Sequence, residues 1–226
     1  MKITYFGHSC FSVVAGGKTL LFDPFITGNE LAKHIDIETI NADYILVSHG
    51  HFDHTLDVVA IAKRTGAKVL GVWELYDHFT KAGIINAHPI NPGGQFDFDF
   101  GKVRSVIAQH SSSFADGSYA GVAAGFVITA EEGSFYYSGD TALTQDMALI
   151  PRWADLDFAV LPIGDNLTMG TDDAIEAALM ANADQVIGVH YDTFGSIEID
   201  KAVSKEKFSH AGIELHLPAI GESFEL

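Results

Sequence analysis

"YILVSHGHFDH", residues 44–54, sets an apolar run directly against three imidazoles and a carboxylate. The run reads as a short strand and the polar residues as the loop at its end. His49, His51, Asp53 and His54 lie within six positions. In an extended or tightly turned loop, His49 and His51 at alternate positions aim at one centre. Asp53 and His54 are adjacent, so they aim towards a second centre nearby. Imidazole mixed with carboxylate suits Zn²⁺, and Mn²⁺ and Fe²⁺ accept the same mixture. Four residues do not complete two coordination spheres, so further ligands must arrive from other parts of the chain.

The rest of the chain repeats the pattern of an apolar run, a small or polar turn, then His or Asp. "KITYF" precedes Gly7-His8, "TLLF" precedes Asp23-Pro24, and "VRSVIAQ" precedes His110. "SFYYSG" precedes Asp140, "DFAVLPIG" precedes Asp165-Asn166, and "DQVIGV" precedes His190. Several runs are almost continuously apolar, as strands covered on both faces are. His110, Asp140 and His190 are therefore the candidates for the missing ligands.

Helical segments separate the runs. Residues 56–65 space Leu56, Val59, Ala60 and Lys63 as an amphipathic face closed by Gly66. Residues 73–82 and 142–150 read similarly. Thr171 is placed to N-cap the segment "DDAIEAALMA", whose Asp172 and Asp173 suit the positive end of a helix dipole. A last helix covers 199–210 and ends near Gly212. Strands outnumber helices, and the layered solution puts helices outside and sheets inside. Strand-end loops then converge on one edge, where ligand sites usually sit.

With 226 residues, 47% of them hydrophobic, the chain supports a sizeable core in one domain or two fused halves. The formal net charge is −17, from 13 basic against 30 acidic residues. So acidic a surface repels phosphate backbones, and a nucleic-acid partner is not expected. Cys10 is the single cysteine, which excludes an intrachain disulfide. No secretory leader and no membrane-length apolar run is evident, so a cytoplasmic protein without a membrane partner is expected.

"HGHFDH" resembles the His-x-His-x-Asp-His motif of the metallo-β-lactamase superfamily, and His110, Asp140 and His190 follow in that superfamily's order. "GHSCF", "DPFITGN", "HSSS", "SGDTAL", "LPIGDNLTMG" and "HYDTF" extend the likeness almost end to end. They resemble a branch of uncharacterised prokaryotic metal-dependent hydrolases, similar to the L-ascorbate 6-phosphate lactonases. The resemblance implies an α/β fold, a four-layer αββα sandwich, with a binuclear metal site at the sheet edge. It implies that His49, His51 and His110 hold one divalent ion, that Asp53, His54 and His190 hold the other, and that Asp140 bridges them. Zinc, manganese, iron and nickel are all admissible. Fold-mates running di-iron redox chemistry typically carry Glu where this chain has His51, so hydrolysis is implied.

The implied reaction is attack on a small-molecule lactone, ester or phosphoester by a hydroxide bridging two divalent metals. Asp53 and His8 are the candidate catalytic side chains. Asp53 is placed to carry a proton to the leaving group, and His8 to donate to a ligating carboxylate or to substrate. Asp23 is a candidate to orient a ligand imidazole, since metal-bound His needs an outer acceptor. Ser111, Ser112 and Ser113 read as loop residues with an alternative as oxyanion donors. Asp165, Asn166, Thr168 and Met169 are candidates to shape the pocket, and Tyr191 and Thr193, beside His190, are candidates to contact substrate. His34, His78, His88, His210 and His216 read as surface or packing residues, and Cys10 as a small buried group. "YAGVAAGF" suits close packing and lacks the Lys and Ser/Thr of a phosphate loop. Two alternatives stand beside the hydrolase: a phosphodiesterase or nuclease on the same fold, and a non-catalytic metal-binding protein. β-Lactam hydrolysis is not expected without an export signal. The related lactonases are oligomers, which carries a homo-oligomer as an expectation.

Overall fold

The computed structural model describes residues 1–226 as two seven-stranded mixed sheets flanked by helices. In the first sheet β1 (Lys2–Gly7), β2 (Cys10–Ala15) and β3 (Lys18–Phe22) form an antiparallel meander. It continues in parallel through β4 (Tyr44–Leu46), β5 (Lys68–Gly71) and β6 (Ala87–Pro89). The second sheet repeats this plan. β7 (Gln95–Phe98), β8 (Gly101–Ile107), β9 (Ala124–Ala130) and β10 (Gly133–Tyr137) are antiparallel. β11 (Phe158–Pro162), β12 (Gln185–Val189) and β13 (Glu214–His216) then run parallel to β10. The last strand, β14 (Ser223–Glu225), returns to the first sheet and pairs with β1, Lys2 opposite Glu225.

These pairings fix where the loops meet. β1 and β3 are each antiparallel to β2, so they share a direction, and β4 is parallel to β3. β8 and β10 share a direction through β9, and β11 and β12 follow β10. His8, Asp23, Ser48 and His49 thus leave one edge of the first sheet. His110, Asp140, Asp165 and His190 leave one edge of the second. The hydrogen bond from His190 N to His8 O, 3.0 Å, joins the two edges.

Three apolar layers hold the stack together. Phe11, Phe22, Phe135, Phe158 and Tyr137 are buried between the sheets, with Phe11 stacked on Phe22 at 4.6 Å and Phe135 on Phe158 at 4.9 Å. On the outer face of the first sheet, Val58, Ile61 and Ala62 of α2 (Val58–Thr65) and Leu75 and Phe79 of α3 (Trp73–Lys81) pack on Ile45 and Val69. On the outer face of the second sheet, α4 (Thr171–Ala181) and α5 (Lys201–His210) bury Ala174, Ala178 and Phe208 against Ala159, Leu161 and Val186. The order helix, sheet, sheet, helix is the αββα sandwich. No helix is long and apolar enough to cross a membrane.

Three local expectations are corrected. Leu56, Val59, Ala60 and Lys63 do not form the buried face: Leu56 is 49% exposed, and Val58, Ile61 and Ala62 face the sheet. The helix breaks at Asp57, whose Oδ2 accepts from the backbone N of Ile26 and Thr27 at 2.6 and 2.9 Å, and α2 starts afresh in a different phase. A separate one-turn helix, α1 (Phe52–Thr55), precedes it. Thr171 does not cap α4; Gly170 holds the cap position, and Thr171 Oγ1 shares a 3.0 Å hydrogen bond with Ser204 Oγ of α5. Residues 145–152 form a 3₁₀ segment containing Pro151 rather than an α-helix.

Candidate metal centre

Asp140 follows β10 after a left-handed Gly139, φ 62°. Its Oδ2 lies 3.0 Å from His190 Nε2, 3.2 Å from His54 Nε2, 3.6 Å from His110 Nε2 and 3.9 Å from His49 Nε2. Asp53 Oδ2 lies 3.9 Å from His190 Nε2 and 4.0 Å from His54 Nε2. The donor atoms of His49, His51 and His110 form one group within 4.8 Å of each other, and those of His8, Asp53, His54 and His190 form a second. The structure thus brings all seven candidate ligands, drawn from four separate stretches of chain, to one place between the sheet edges.

The ring orientations are set from behind. Asp23 is fully buried and accepts from Ser48 N at 2.7 Å, Ser48 Oγ at 2.5 Å, His54 Nδ1 at 2.8 Å and Tyr137 Oη at 2.5 Å. Although Asp23 also lies within reach of His49 and His54, these donors occupy its oxygens, so it supports ligands rather than serving as one. Ser48 Oγ, donating to Asp23, accepts from His49 Nδ1 at 3.0 Å. Both imidazoles therefore donate from Nδ1 and turn Nε2 inward.

His8 is held at both nitrogens, with Nε2 3.1 Å from Asp53 Oδ2 and Nδ1 2.9 Å from Thr193 Oγ1. Burial pushes its pKa down to about 4, so near pH 7 the ring is neutral. Nε2–H then donates to Asp53 and Nδ1 accepts from the Thr193 hydroxyl. His8, Asp23 and His190 sit at φ 56°, 41° and 56°, the left-handed region, which costs about 1–2 kcal/mol per residue. Such strain persists where surroundings enforce it. The His8 carbonyl accepts from both Tyr5 Oη and His190 N at 3.0 Å.

Charge is balanced inside the cluster. Burial drives His49 well below the usual imidazole range and lowers His51 and His110. Burial also opposes charge on His54, but the Asp140 and Asp23 carboxylates hold it well above that range. Burial opposes charge on Asp140 and Asp53 too. His54 and His190 hold Asp140 well below the carboxylate range, and the His8 hydrogen bond and His54 do the same for Asp53. Asp140 Oδ1 and His54 Nε2 are nonetheless buried without a hydrogen-bond partner. Buried polar atoms are rarely left so. Inward imidazole lone pairs and uncommitted carboxylate oxygen fit divalent cations.

The remaining candidates divide. Thr193 touches His8, and Ser111 Oγ lies 3.4 Å from His51 Nε2. Ser112 Oγ accepts from Gly50 N at 3.2 Å, a loop role, and Met169 is fully buried beneath the site loop. His78 lies outside the cluster but stacks on Phe114 at 3.8 Å. Ser48 and Tyr137 were not singled out by sequence reasoning. Ser48 had adjacency to His49 as a signal, whereas Tyr137 had none, being one aromatic among several in an apolar strand. A cavity of about 320 Å³ opens over the cluster, with His51, Asp53, His110, Asp140 and His190 as its floor.

Residues 18–191 match the model of the β-lactamase superfamily domain. The chain belongs to the metallo-β-lactamase superfamily. It is 53% identical over 227 residues to a UPF0173 metal-dependent hydrolase of Christiangramia forsetii, covering both chains completely. It is 49% identical to one of Methylacidiphilum infernorum, again over the full length of both. The solved metallo hydrolase Igni18 of Ignicoccus hospitalis superposes with a TM-score of 0.89 at 33% identity, covering 100% of this chain and 98% of that one. The protein is therefore a metal-dependent hydrolase with the metallo-β-lactamase fold, and it carries His/Asp clusters that could hold a metal ion.

Proposed function

We propose that this metallo-β-lactamase-fold hydrolase acts as one domain and cleaves a small-molecule lactone, ester or phosphoester at a two-cation centre. His49, His51 and His110 would hold one divalent ion, Asp53, His54 and His190 the other, with Asp140 between. The observation that carries this reading is Asp140 Oδ2, which stands 3.0–3.9 Å from imidazole nitrogens of both groups. The chemistry supplied by a bound cation pair is hydroxide at neutral pH and a Lewis acid for the substrate oxygen.

The chain's own residues do the rest. Asp23 and Ser48 keep the rings of His54 and His49 turned inward. His8 holds Asp53 Oδ2 by its Nε2–H. Asp53, ionised by its surroundings, takes the proton released by the attacking water and passes it to the leaving group. A nuclease reading is disfavoured, because no Lys or Arg lines the cavity and the net charge is −17.

The test is elemental analysis of protein purified without chelators, with a screen of esters, lactones and bis(p-nitrophenyl) phosphate on wild type and Asp140→Asn. Near two divalent ions per chain are expected, with hydrolysis lost in the variant. A wild type that binds no metal, or turnover untouched by Asp140→Asn, overturns the reading.

A further inference from the structure

We infer that the substrate presents an uncharged, apolar group beside its scissile bond, seated against Phe52, Phe114, Leu167 and Phe194. The inference rests on the hydrolase reading above and narrows its substrate class. The cavity has two chemically distinct parts. Its floor is the His/Asp cluster, and its walls are those four side chains with Ala115. They come from three loops and α1, so an apolar collar is assembled from four separate segments around one polar floor.

The collar is built rather than incidental. Phe114 is backed by the ring of His78, nearly parallel at 15°. Phe52 meets the edge of Phe25 at 5.7 Å, and Phe194 meets the edge of His8 at 5.5 Å. Backbone bridges Ser113–Tyr119 and Gly164–Gly170 close the loops carrying Phe114 and Leu167 at their bases. Phe52 and Leu167 are each 49% exposed. That exposed apolar surface at the mouth is what a hydrophobic group would remove from water.

Charge points the same way. No Lys or Arg is among the residues lining the cavity. Lys201, on the helix after the His190 loop, is paired with Asp192 at 2.8 Å, and Lys207 with Asp172 at 2.8 Å. An anionic group held away from the metal floor would meet no cationic side chain inside a protein of net charge −17. A phosphorylated lactone, as the sequence resemblance suggests, is poorly matched to these walls.

Straight-chain hydroxamates, which chelate metal through one end, test the collar directly. Aceto- to hexanohydroxamate are titrated calorimetrically into zinc-loaded protein, together with chains of equal length ending in a carboxylate. Each added methylene should tighten binding up to about fourfold, the equivalent of about 0.8 kcal/mol. The terminal carboxylate should weaken it at least about tenfold. Leu167→Ala should shrink the gain per methylene, and Leu167→Lys should shrink the carboxylate penalty. Affinity that stays flat along the series, or a carboxylate that binds more tightly, overturns the inference while the hydrolase reading stands. Failure of the wild type to take up zinc, manganese, iron or nickel sinks the two-cation reading and this inference with it.

Discussion

Tyr137 reaches from the second sheet to donate a 2.5 Å hydrogen bond to Asp23 Oδ2 in the first. Asp23 also orients His54 and, through Ser48, His49. One carboxylate thus couples the packing of the two sheets to ring orientation in both halves of the centre. Phe11 and Phe22 pack edge-on against the same tyrosine at 5.1 and 5.5 Å, which fixes its hydroxyl.

Tyr137→Phe removes one donor from a buried carboxylate. A loss of about 1–3 kcal/mol is expected, read as a lower Tm, with a smaller loss of metal affinity. Asp23→Asn acts on the rings themselves and should weaken metal binding about 10–100-fold. Metal titrations of the two variants separate the effects; equal metal affinity in Asp23→Asn and wild type would falsify the orienting role.

Metal should stabilise the fold, because the proposed ligands lie on both sheets and would meet an ion in this geometry only in the folded chain. At a free ion concentration a hundred times Kd, the gain is about 2.7 kcal/mol. Thermal melts with and without a chelator measure it. An unchanged Tm after complete metal removal contradicts a centre that spans the sheets.

Metal uptake should release protons. In the metal-free protein Asp140 and Asp23 raise His54 above the ordinary imidazole range, so its proton is present near pH 7 and a cation must displace it. The sign follows: affinity rises with pH until His54 titrates. Without metal, the charged His54 contributes stability fully present below about pH 6.5 and lost as pH climbs through its raised pKa. Calorimetric titration in buffers of different ionisation enthalpy counts the protons, and a count of zero at pH 7 is the adverse result.

Gly50 has no room for a side chain. A Cβ there would lie 2.2 Å from Ala120 Cβ, which is attached directly to backbone and does not swing aside. Gly50→Ala should force apart the loop carrying His49 and His51, costing about 1–3 kcal/mol and metal affinity together. Gly17→Ala, open on all sides, is the control for adding a methyl group, though its φ of 69° carries its own strain.

The motif at 49–54 was legible because its four donors are close in sequence, and His110, Asp140 and His190 because each ends a strongly apolar run. The layering of helices outside and sheets inside followed from the same runs, and the four-layer αββα sandwich from the family resemblance. Asp23 was legible as a candidate to orient an imidazole, but its particular donors depend on β3 lying beside β4 and on Tyr137 arriving from the other sheet. The face of α2 was misread because Asp57 is drawn to Ile26 and Thr27, a long-range pull that local periodicity does not contain. Phe114, Leu167 and Phe194 lie on irregular loops, so no period marked them as walls.

The return of β14 to the edge of β1 has a consequence for synthesis. The strand that leads to His8 gains its outer neighbour only after residues 223–225 have been made. His110 and His190 likewise emerge long after the 49–54 loop. A chain cut short before residue 190 lacks one of the proposed ligands and leaves β1 an open edge strand. The full set of proposed ligands is therefore present only once residue 190 has been made.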